Sequence, residues 1–521
     1  MPELLTAAQM RAREETAMKN GAVTGAALME RAGRGAVEAT VRTWPDLAGG
    51  GHHAVVLCGP GNNGGDGYVV ARRLADLGWT VEVFGMGDPQ KASPDARLMR
   101  QLWEACGPVG QLSDAGHGTR PDLLVDALFG TGLGRAIPAE TVTAVAAVKA
   151  RSGARACRVV ALDCVSGLDC DSGRMLLPDG AAPDAMAADL TVTFHAAKRG
   201  HYLGQPQSRS LEVVDIGLDH AEDDPRQRPA PGLLRRIEPG RLAPAAWLGS
   251  VLPVAPGAHK YDRGHVLVLG GGCGKGGAGR LAARAALRIG AGLVTLAVPP
   301  SALQENAARL DAIMLTSMKG PEGLADILSD SRLSCVALGP GLGVGEATRE
   351  MVRQVAGADR ATVLDADALS SFSDDPDALF GLLHARCVLT PHEGEFARLF
   401  PDLAEKDRSV SKVDAAAEAA RRSGATVLLK GPDTVIASPD GAVSVNAAFY
   451  GREAPWLGTA GAGDVLTGMI AGLMGNGRAD PHLAASAGAW LHVEAARYVG
   501  PGLISEDLPD ALPGLFRSLG L

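Results

Sequence analysis

GPGNNGGDGY, residues 59–68, follows the apolar run AVVLC at 54–58 and precedes a helix-like stretch. Five glycines, two Asn and one Asp between a β-run and a helix make a loop suited to close backbone approach, with amides and a carboxylate turned towards a polar ligand. The spacing only loosely imitates the GxGxxG fingerprint. Asp66 also lies inside the loop, not about twenty residues beyond it, where an acid holding a ribose would stand. The stretch therefore predicts a parallel α/β sheet with a dinucleotide-sized ligand at its edge, and not an ordinary dehydrogenase loop. A ligand-free turn is the alternative, but it has no need of so many glycines with two amides and an acid.

Working outward, the first half alternates apolar β-runs with Ala-rich amphipathic stretches. Strands are predicted at 54–58, 80–84, 123–127, 159–163, 190–194 and 212–216, with helices over 6–40. The second half repeats the style, with strands at 265–270, 293–298, 335–338, 362–365, 387–389, 427–430 and 435–437. Helices are predicted there at 278–289, 411–423, 462–474 and 483–498. Between the halves, 218–244 carries an acidic cluster and then Pro225, Pro229 and Pro231 among Arg residues, without sustained apolar period, which reads as a linker. Two α/β domains follow, expected at 1–225 and 226–521.

Composition narrows the function. The chain has 521 residues, 46% hydrophobic and 21% charged, with a net charge of −9. That balance disfavours nucleic acid or an anionic membrane as partner, since both select basic surfaces. Small-molecule substrates are the expectation. No basic stretch followed by an apolar segment opens the chain, and no run of about 18 apolar residues occurs, so a cytoplasmic protein is expected. The eight cysteines form no CxxC pair and read as buried, reduced residues.

Three strand-end loops of the first half can converge on one crevice: GNNGGDG at 61–67, DALFGTGLGR at 126–135 and LDCVSGLD at 162–169. They offer Asn63, Asp126 and Ser166, hard oxygen donors suited to an alkali or alkaline-earth cation and poor for zinc. Asp163, at a strand end, is a candidate proton donor or acceptor. These motifs, with LMERAG at 28–33, resemble the NAD(P)H-hydrate epimerase family over about residues 1–220. That family has a Rossmann-like three-layer fold and interconverts the R and S epimers of a nicotinamide ring hydrated at C6. The resemblance implies a potassium ion on Asn63, Asp126 and Ser166. It implies substrate contacts from Asn62, Asn63, Gly64, Gly65 and Asp66, from Gly130, Thr131, Gly132, Leu133, Gly134, Arg135 and Ala136, and from Asp163 as the acid/base. CVSG at 164–167 departs from the family, which usually has Pro before the Ser.

In the second half, TAGAGDVLTG at 459–468 would present the backbone N–H groups of Gly461, Ala462 and Gly463 at a helix N-terminus, an anion hole for a transferring phosphoryl group. Asp464 is placed to accept a proton from the attacking hydroxyl. KGPDT at 430–434 could hold a nucleotide through backbone and the Lys charge. GGGCGKGGAG at 270–279 is not a Walker A loop, because Gly276 stands where Ser or Thr is required. His392, in TPHEGE at 390–395, could equally contact a ligand or make a structural hydrogen bond, and His492 reads as structural. With HKYDRGHVLVLGG at 259–271, GPGLG at 339–343 and DADAL at 365–369, these segments resemble the ribokinase-like α/β fold. Within it they resemble the NAD(P)H-hydrate dehydratase family, over about residues 226–521. Gly272 departs from that family, where Ser is common.

The resemblance implies that Lys430, Gly431, Pro432, Asp433, Thr434 and Gly463 bind the adenine nucleotide. It implies that Ala278, Gly341, His392 and Asp464 contact the hydrate, with Asp464 catalytic. ADP is the expected co-substrate, with magnesium, and a homo-oligomer is expected. Two rival readings stay open: a ribokinase-fold vitamin or sugar kinase fused to a nucleotide-binding module, and a first half that senses ligand or binds protein without catalysis.

Overall fold

The structure is a computed structural model and describes residues 3–151, 157–219, 226–238, 244–252, 257–404 and 410–521. The chain divides into two compact units, residues 3–222 and 223–521. The boundary expected after residue 225 falls at the edge of a stretch outside the described residues. Among the described residues, no helix is long and apolar enough to cross a membrane.

The first unit is built on a seven-stranded sheet in the order Val109–Gln111, Thr80–Gly85, His53–Cys58, Leu123–Ala127, Arg158–Leu162, Ala188–Phe194, Ser208–Val214. Every pairing is parallel. Parallel strands are buried on both faces, which explains why His53–Cys58 and Leu123–Ala127 are buried at every position. Chain order reverses between these two central strands. In open α/β sheets, the crevice at such a switch point, beyond the carboxyl ends of the strands, receives the ligand.

The stretch 59–68 is less of a loop than its glycines suggest. Helix Asn62–Asp76 already begins inside it, with Gly61 at the N-cap and no side chain capping the end. Its glycines serve close approach: a Cβ on Gly59 would lie 1.7 Å from the Leu128 carbonyl oxygen, and one on Gly64 would lie 2.1 Å from that of Gly59. Strand-to-helix packing, and not turn conformation, accounts for their number.

In the second unit the strands follow the order Leu234–Arg236, Val443–Ala447, Asp433–Ala437, Thr426–Leu429, Cys387–Leu389, Ala361–Leu364, Leu333–Leu338, His265–Leu269, Leu293–Val298, Met314–Ser317. The sheet is parallel from Thr426–Leu429 to Met314–Ser317, while Asp433–Ala437 runs antiparallel to both of its neighbours. Helix Ala462–Gly475 is almost wholly buried and packs on helix Gly276–Ile289.

Three readings need correction. The expected linker 218–244 contains a strand, Leu234–Arg236, which pairs with Val443–Val445 and buries Leu234 and Ile237. The strands Val109–Gln111, Met314–Ser317 and Val443–Ala447 were not expected; each is short or flanked by polar residues, so its local pattern is weak. All eight cysteines are free, but Cys106 and Cys273 are exposed, not buried.

A Cβ on Gly468 would lie 2.1 Å from the Ala282 carbonyl oxygen in the facing helix, whereas one on Gly277 meets nothing within 4 Å. Gly468→Ala should therefore destabilise the second unit by about 1–3 kcal/mol through overpacking. Gly277→Ala should be neutral or slightly stabilising. Calorimetric scans of the two variants check this, and equal midpoints would contradict the packing account.

Candidate active sites

At the first switch point the decisive group is Asp163. It follows strand Arg158–Leu162 with φ of 63°, a left-handed conformation that costs a non-glycine residue energy and often marks a functional position. Its carboxylate accepts a 2.6 Å hydrogen bond from the ammonium of Lys198, which is completely buried, and a 3.1 Å bond from the Thr193 hydroxyl. The Lys198 ammonium also donates to Thr193 Oγ1 and to the Phe194 carbonyl. On its other oxygen Asp163 accepts from the Thr131 amide at 3.3 Å. Burial alone would raise its pKa, but the Lys198 charge and hydrogen bond outweigh burial and hold it below the usual carboxylate value.

Asp66 has no such partner. Burial, reinforced by the negative charges of Asp163 and Glu14, pushes its carboxyl well up. Glu14, half-buried on helix Ala7–Lys19, is raised by burial and then by Asp163. Asp163 is thus pushed towards its ionised form while Asp66 and Glu14 are pushed the other way, and pKa values driven apart in this manner separate proton acceptor from proton donor.

The cation candidates gather around residues 128–130. Ser166 is fully buried; its hydroxyl donates to Asp126 Oδ1 at 2.6 Å and its amide donates to Asp126 Oδ2 at 2.9 Å. The Leu128 amide also donates to Asp126, and that of Phe129 to Ser166 Oγ. A Cβ on Gly130 would stand 3.3 Å from both Asn63 Cγ and Asp163 Oδ2, so this backbone joins the cation residues to the acid. Asn63 is buried, and neither its amide oxygen nor its nitrogen has a hydrogen-bond partner. Burial raises the Asp126 carboxyl despite its hydrogen bonds. An orphaned amide oxygen and an undercompensated buried carboxylate, both close to the backbone of 128–130, fit a hard alkali or alkaline-earth cation. Gly64 and Gly65 are buried in packing, whereas Asn62 is exposed and accepts from Ser93. Gly132, Gly134, Arg135 and Ala136 are exposed, and Leu133 is half-buried.

In the second unit Asp464 lies in the first turn of helix Ala462–Gly475, whose N-cap, Gly461 at φ of 90°, supplies no side-chain cap. The Ala462 amide at this end donates to the Thr459 carbonyl at 3.4 Å, which leaves the amides of Gly461 and Gly463 to receive an anion. Lys430 and Asp365 form an ion pair at 2.8 Å just below, and Asp365 also accepts from Thr467 at 2.8 Å. A Cβ on Gly463 would lie 3.5 Å from the Lys430 ammonium, which places that charge beside the helix end. Burial and then the Asp365 charge, opposed by Lys430, push the Asp464 carboxyl up to about 6. A base with a pKa just below neutrality is ionised at working pH yet basic enough to accept a proton.

The other expected residues are distributed around this helix end. Ala278 and Gly341 are neighbours, a Cβ on Gly341 lying 3.9 Å from that of Ala278. His392 is the N-cap of helix Glu393–Leu399: its Nδ1 accepts from the Gly394 amide at 2.9 Å, and its half-exposed ring carries Nε2 within 3.4 Å of Glu395. Gly431 and Pro432 are exposed, but the Asp433 carboxylate is buried against Lys412 at 2.6 Å and the Thr434 hydroxyl donates to the Gly431 carbonyl. Those two side chains thus shape the turn, and Gly431 and Pro432 form its open face. His492 is buried against Ala462, and burial lowers its pKa to about 4, so it supports the helix end as a neutral ring.

Sequence reasoning missed Lys198, Thr193, Glu14 and Lys412. DADAL had drawn attention to Asp365 without giving it a role.

Comparison with known proteins places these sites in context. The family model described as NAD(P)H-hydrate dehydratase matches residues 266–502, and that described as YjeF-related protein N-terminus matches residues 25–200. A bifunctional NAD(P)H-hydrate repair enzyme of Moorella thermoacetica is 38% identical, covering 99% of this chain and 97% of that protein. That of Escherichia coli is 34% identical over 92% of this chain and 87% of its own length. Among solved structures, the ADP/ATP-dependent NAD(P)H-hydrate dehydratase of Bacillus subtilis, co-crystallised with ATP and Mg2+, is 28% identical; it covers 53% of this chain and 96% of its own, with a TM-score of 0.44.

Two outcomes follow from the electrostatics. Lys198→Met leaves Asp163 buried without its counter-charge, so the first unit should lose about 3–5 kcal/mol at neutral pH. The deficit should shrink in acid, because the unpaired carboxyl then protonates. A loss below about 1 kcal/mol in chemical denaturation would contradict the pairing. Asp464→Asn should act in the opposite sense. A folded pKa of about 6 against 3.8 unfolded means that stability falls as pH rises from 3.8 through about 6. The variant should therefore be more stable than the parent at pH 8, by about 1–2 kcal/mol, with the gain fading towards pH 4. Thermal midpoints across that range check the sign.

Proposed function

The chain belongs to the family of bifunctional NAD(P)H-hydrate repair enzymes, and on that premise we propose how its two sites divide the work. It is an epimerase and a dehydratase in one chain: the first unit interconverts R and S hydrates, and the second returns the S hydrate to NAD(P)H. In our reading ADP is the phosphoryl donor, giving AMP and phosphate.

In the hydrate, C6 carries both the hydroxyl and the ring nitrogen. It inverts when the C6–N1 bond opens to an aldehyde and an amine and closes again after rotation about C5–C6. Opening takes the hydroxyl proton and supplies one to the departing nitrogen. Asp163, held low by Lys198, takes the first and Asp66, pushed up by burial, gives the second, and both transfers reverse on closure. Strain at Asp163 and the buried Lys198 ammonium fix the acceptor's position and charge. Asn63, Asp126 and Ser166 would hold potassium, which when bound supplies a fixed positive charge beside the substrate's oxygens. Gly130 to Ala136 would cover the substrate.

For dehydration, hydroxide is too poor a leaving group, and phosphorylation makes it a good one. Asp464 accepts the hydroxyl proton as the oxygen attacks the β-phosphorus of ADP, while the amides of Gly461 and Gly463 and the Lys430 charge stabilise the phosphoryl group. The N1 lone pair then expels phosphate from C6, and loss of a proton from C5 restores the double bond. Lys430 to Thr434 would seat the nucleotide, with Ala278, Gly341 and His392 around the hydrate. Among the described residues no three His, Cys, Asp or Glu side chains are grouped to hold a metal ion. Magnesium is accordingly expected to arrive on the nucleotide phosphates. The observation that carries this reading is Asp464, an acid pushed up to about 6 at an uncapped helix N-terminus.

The test supplies racemic NADH hydrate, potassium, magnesium and ADP, and follows absorbance at 340 nm. The parent protein should recover the whole racemate faster than spontaneous epimerisation, with a dehydration rate that rises with pH through about 6 and then levels. Asp464→Asn should lose dehydration by about a thousandfold. Asp163→Asn should restore about half of the hydrate quickly and the rest at the spontaneous rate, and replacing potassium by a bulky organic cation should slow epimerisation alone. A stable phosphorylated vitamin or sugar as product would overturn the reading in favour of a kinase.

A further inference from the structure

Beside the catalytic helix of the second unit lies a cleft that the mechanism leaves unused. Its cavity of about 410 Å3 is lined by Trp456, Gly458, Thr459, Gly502, Leu503 and Ile504. That volume lies within the range of small-molecule sites. Trp456 and Ile504 are 49% and 53% exposed, an indole and a branched aliphatic side chain left in water on either flank. Large apolar side chains brought together at a surface signal a contact to be made. Gly458 and Gly502 leave bare backbone between them, over which a flat ring can lie.

The cleft is continuous with the site. Thr459 precedes the N-cap Gly461 by two residues, and the Ser505 hydroxyl, next to Ile504, donates to the Ala460 carbonyl at 2.6 Å. A Cβ on Gly461 would meet Leu281 at 2.7 Å and Ser505 at 3.2 Å. Leu281 is three residues beyond Ala278 on helix Gly276–Ile289 and shares its face. The cleft therefore borders the side assigned to the hydrate. The KGPDT turn reaches the same helix end at Gly463, where a Cβ would lie 3.5 Å from the Lys430 ammonium.

We propose that this cleft holds the adenine ring of the dinucleotide hydrate, stacked on Trp456, so that Trp456 selects dinucleotide over mononucleotide substrates; the proposal rests on the reading of the second unit as a hydrate dehydratase. Adenine is the fully aromatic ring of that substrate and stacks on indole without needing a particular hydrogen-bond pattern. The hydrated nicotinamide, with its tetrahedral C6, is committed to Asp464.

Steady-state kinetics on (S)-NADH hydrate with ADP test this for the parent, Trp456→Ala and Trp456→Phe. Trp456→Ala should raise KM for the hydrate about tenfold, with kcat within about twofold and KM for ADP unchanged; Trp456→Phe should recover most of the loss. With the hydrate of reduced nicotinamide mononucleotide, which lacks adenosine, parent and Trp456→Ala should have equal KM. Thermal midpoints should agree, since the indole is half exposed, and so separate binding from folding. An unchanged KM for the dinucleotide, a rise in KM for ADP instead, or a deficit that persists with the mononucleotide would each overturn the proposal. A parent protein that does not turn over the hydrate at all would instead remove the dehydratase reading beneath it.

Discussion

A lysine ammonium drawn against one carboxylate, with a second carboxyl nearby left without a counter-charge, is the constraint on which both sites depend. In the first unit Lys198 holds Asp163 ionised while Asp66 is pushed well up by burial and by that same Asp163 charge. In the second, Lys430 pairs with Asp365, and the Asp365 charge helps to raise Asp464. Two different strand orders thus arrive at one electrostatic device. It works because a buried charge is tolerated only when paired, so the single available ammonium decides which acid carries the charge. The other acid becomes the proton donor, or a base of matched strength.

The device has a structural cost that the scaffold absorbs. Asp163 is held at positive φ, the Asn63 amide is buried without partners, and the Asp464 helix end is uncapped. Each of these is a loss that folding alone would not select. Asp163 directly follows strand Arg158–Leu162 and Asn63 lies just beyond His53–Cys58, where neighbouring backbone leaves few alternative arrangements, while Asp464 opens the almost wholly buried helix Ala462–Gly475. Glycines at 59 and 64 permit this closeness in the first unit, since a Cβ at either would collide with backbone.

How much of this was legible in the sequence depends on the range of the interaction. Asp163 and Asp464 stood out because each lies in a glycine-rich segment at an element boundary, a local signal. Lys198 did not: in FHAAKRGH it reads as one more surface base, and only the pairing of Ala188–Phe194 beside Arg158–Leu162 brings it beneath Asp163. Asp365 and Lys430 were both in quoted motifs, yet nothing in either motif states that their strands, separated by Cys387–Leu389 in the sheet, bring the side chains to 2.8 Å. Strand Leu234–Arg236 was hidden for the same reason, because its partner lies some two hundred residues away. Local patterns marked the reacting groups; the groups that set their charge are long-range and required the topology.

The two units also differ in ways that suit their separate reactions. Epimerisation needs proton exchange on a ring that neither gains nor loses a heavy atom, and the first site offers acids whose pKa values are pushed in opposite directions beside a group of hard oxygens. Phosphoryl transfer needs charge stabilisation on a moving group, and the second offers a helix N-terminus with a lysine beneath it. A dehydratase restricted to one epimer would strand the other, so a chain that repairs both must carry both arrangements.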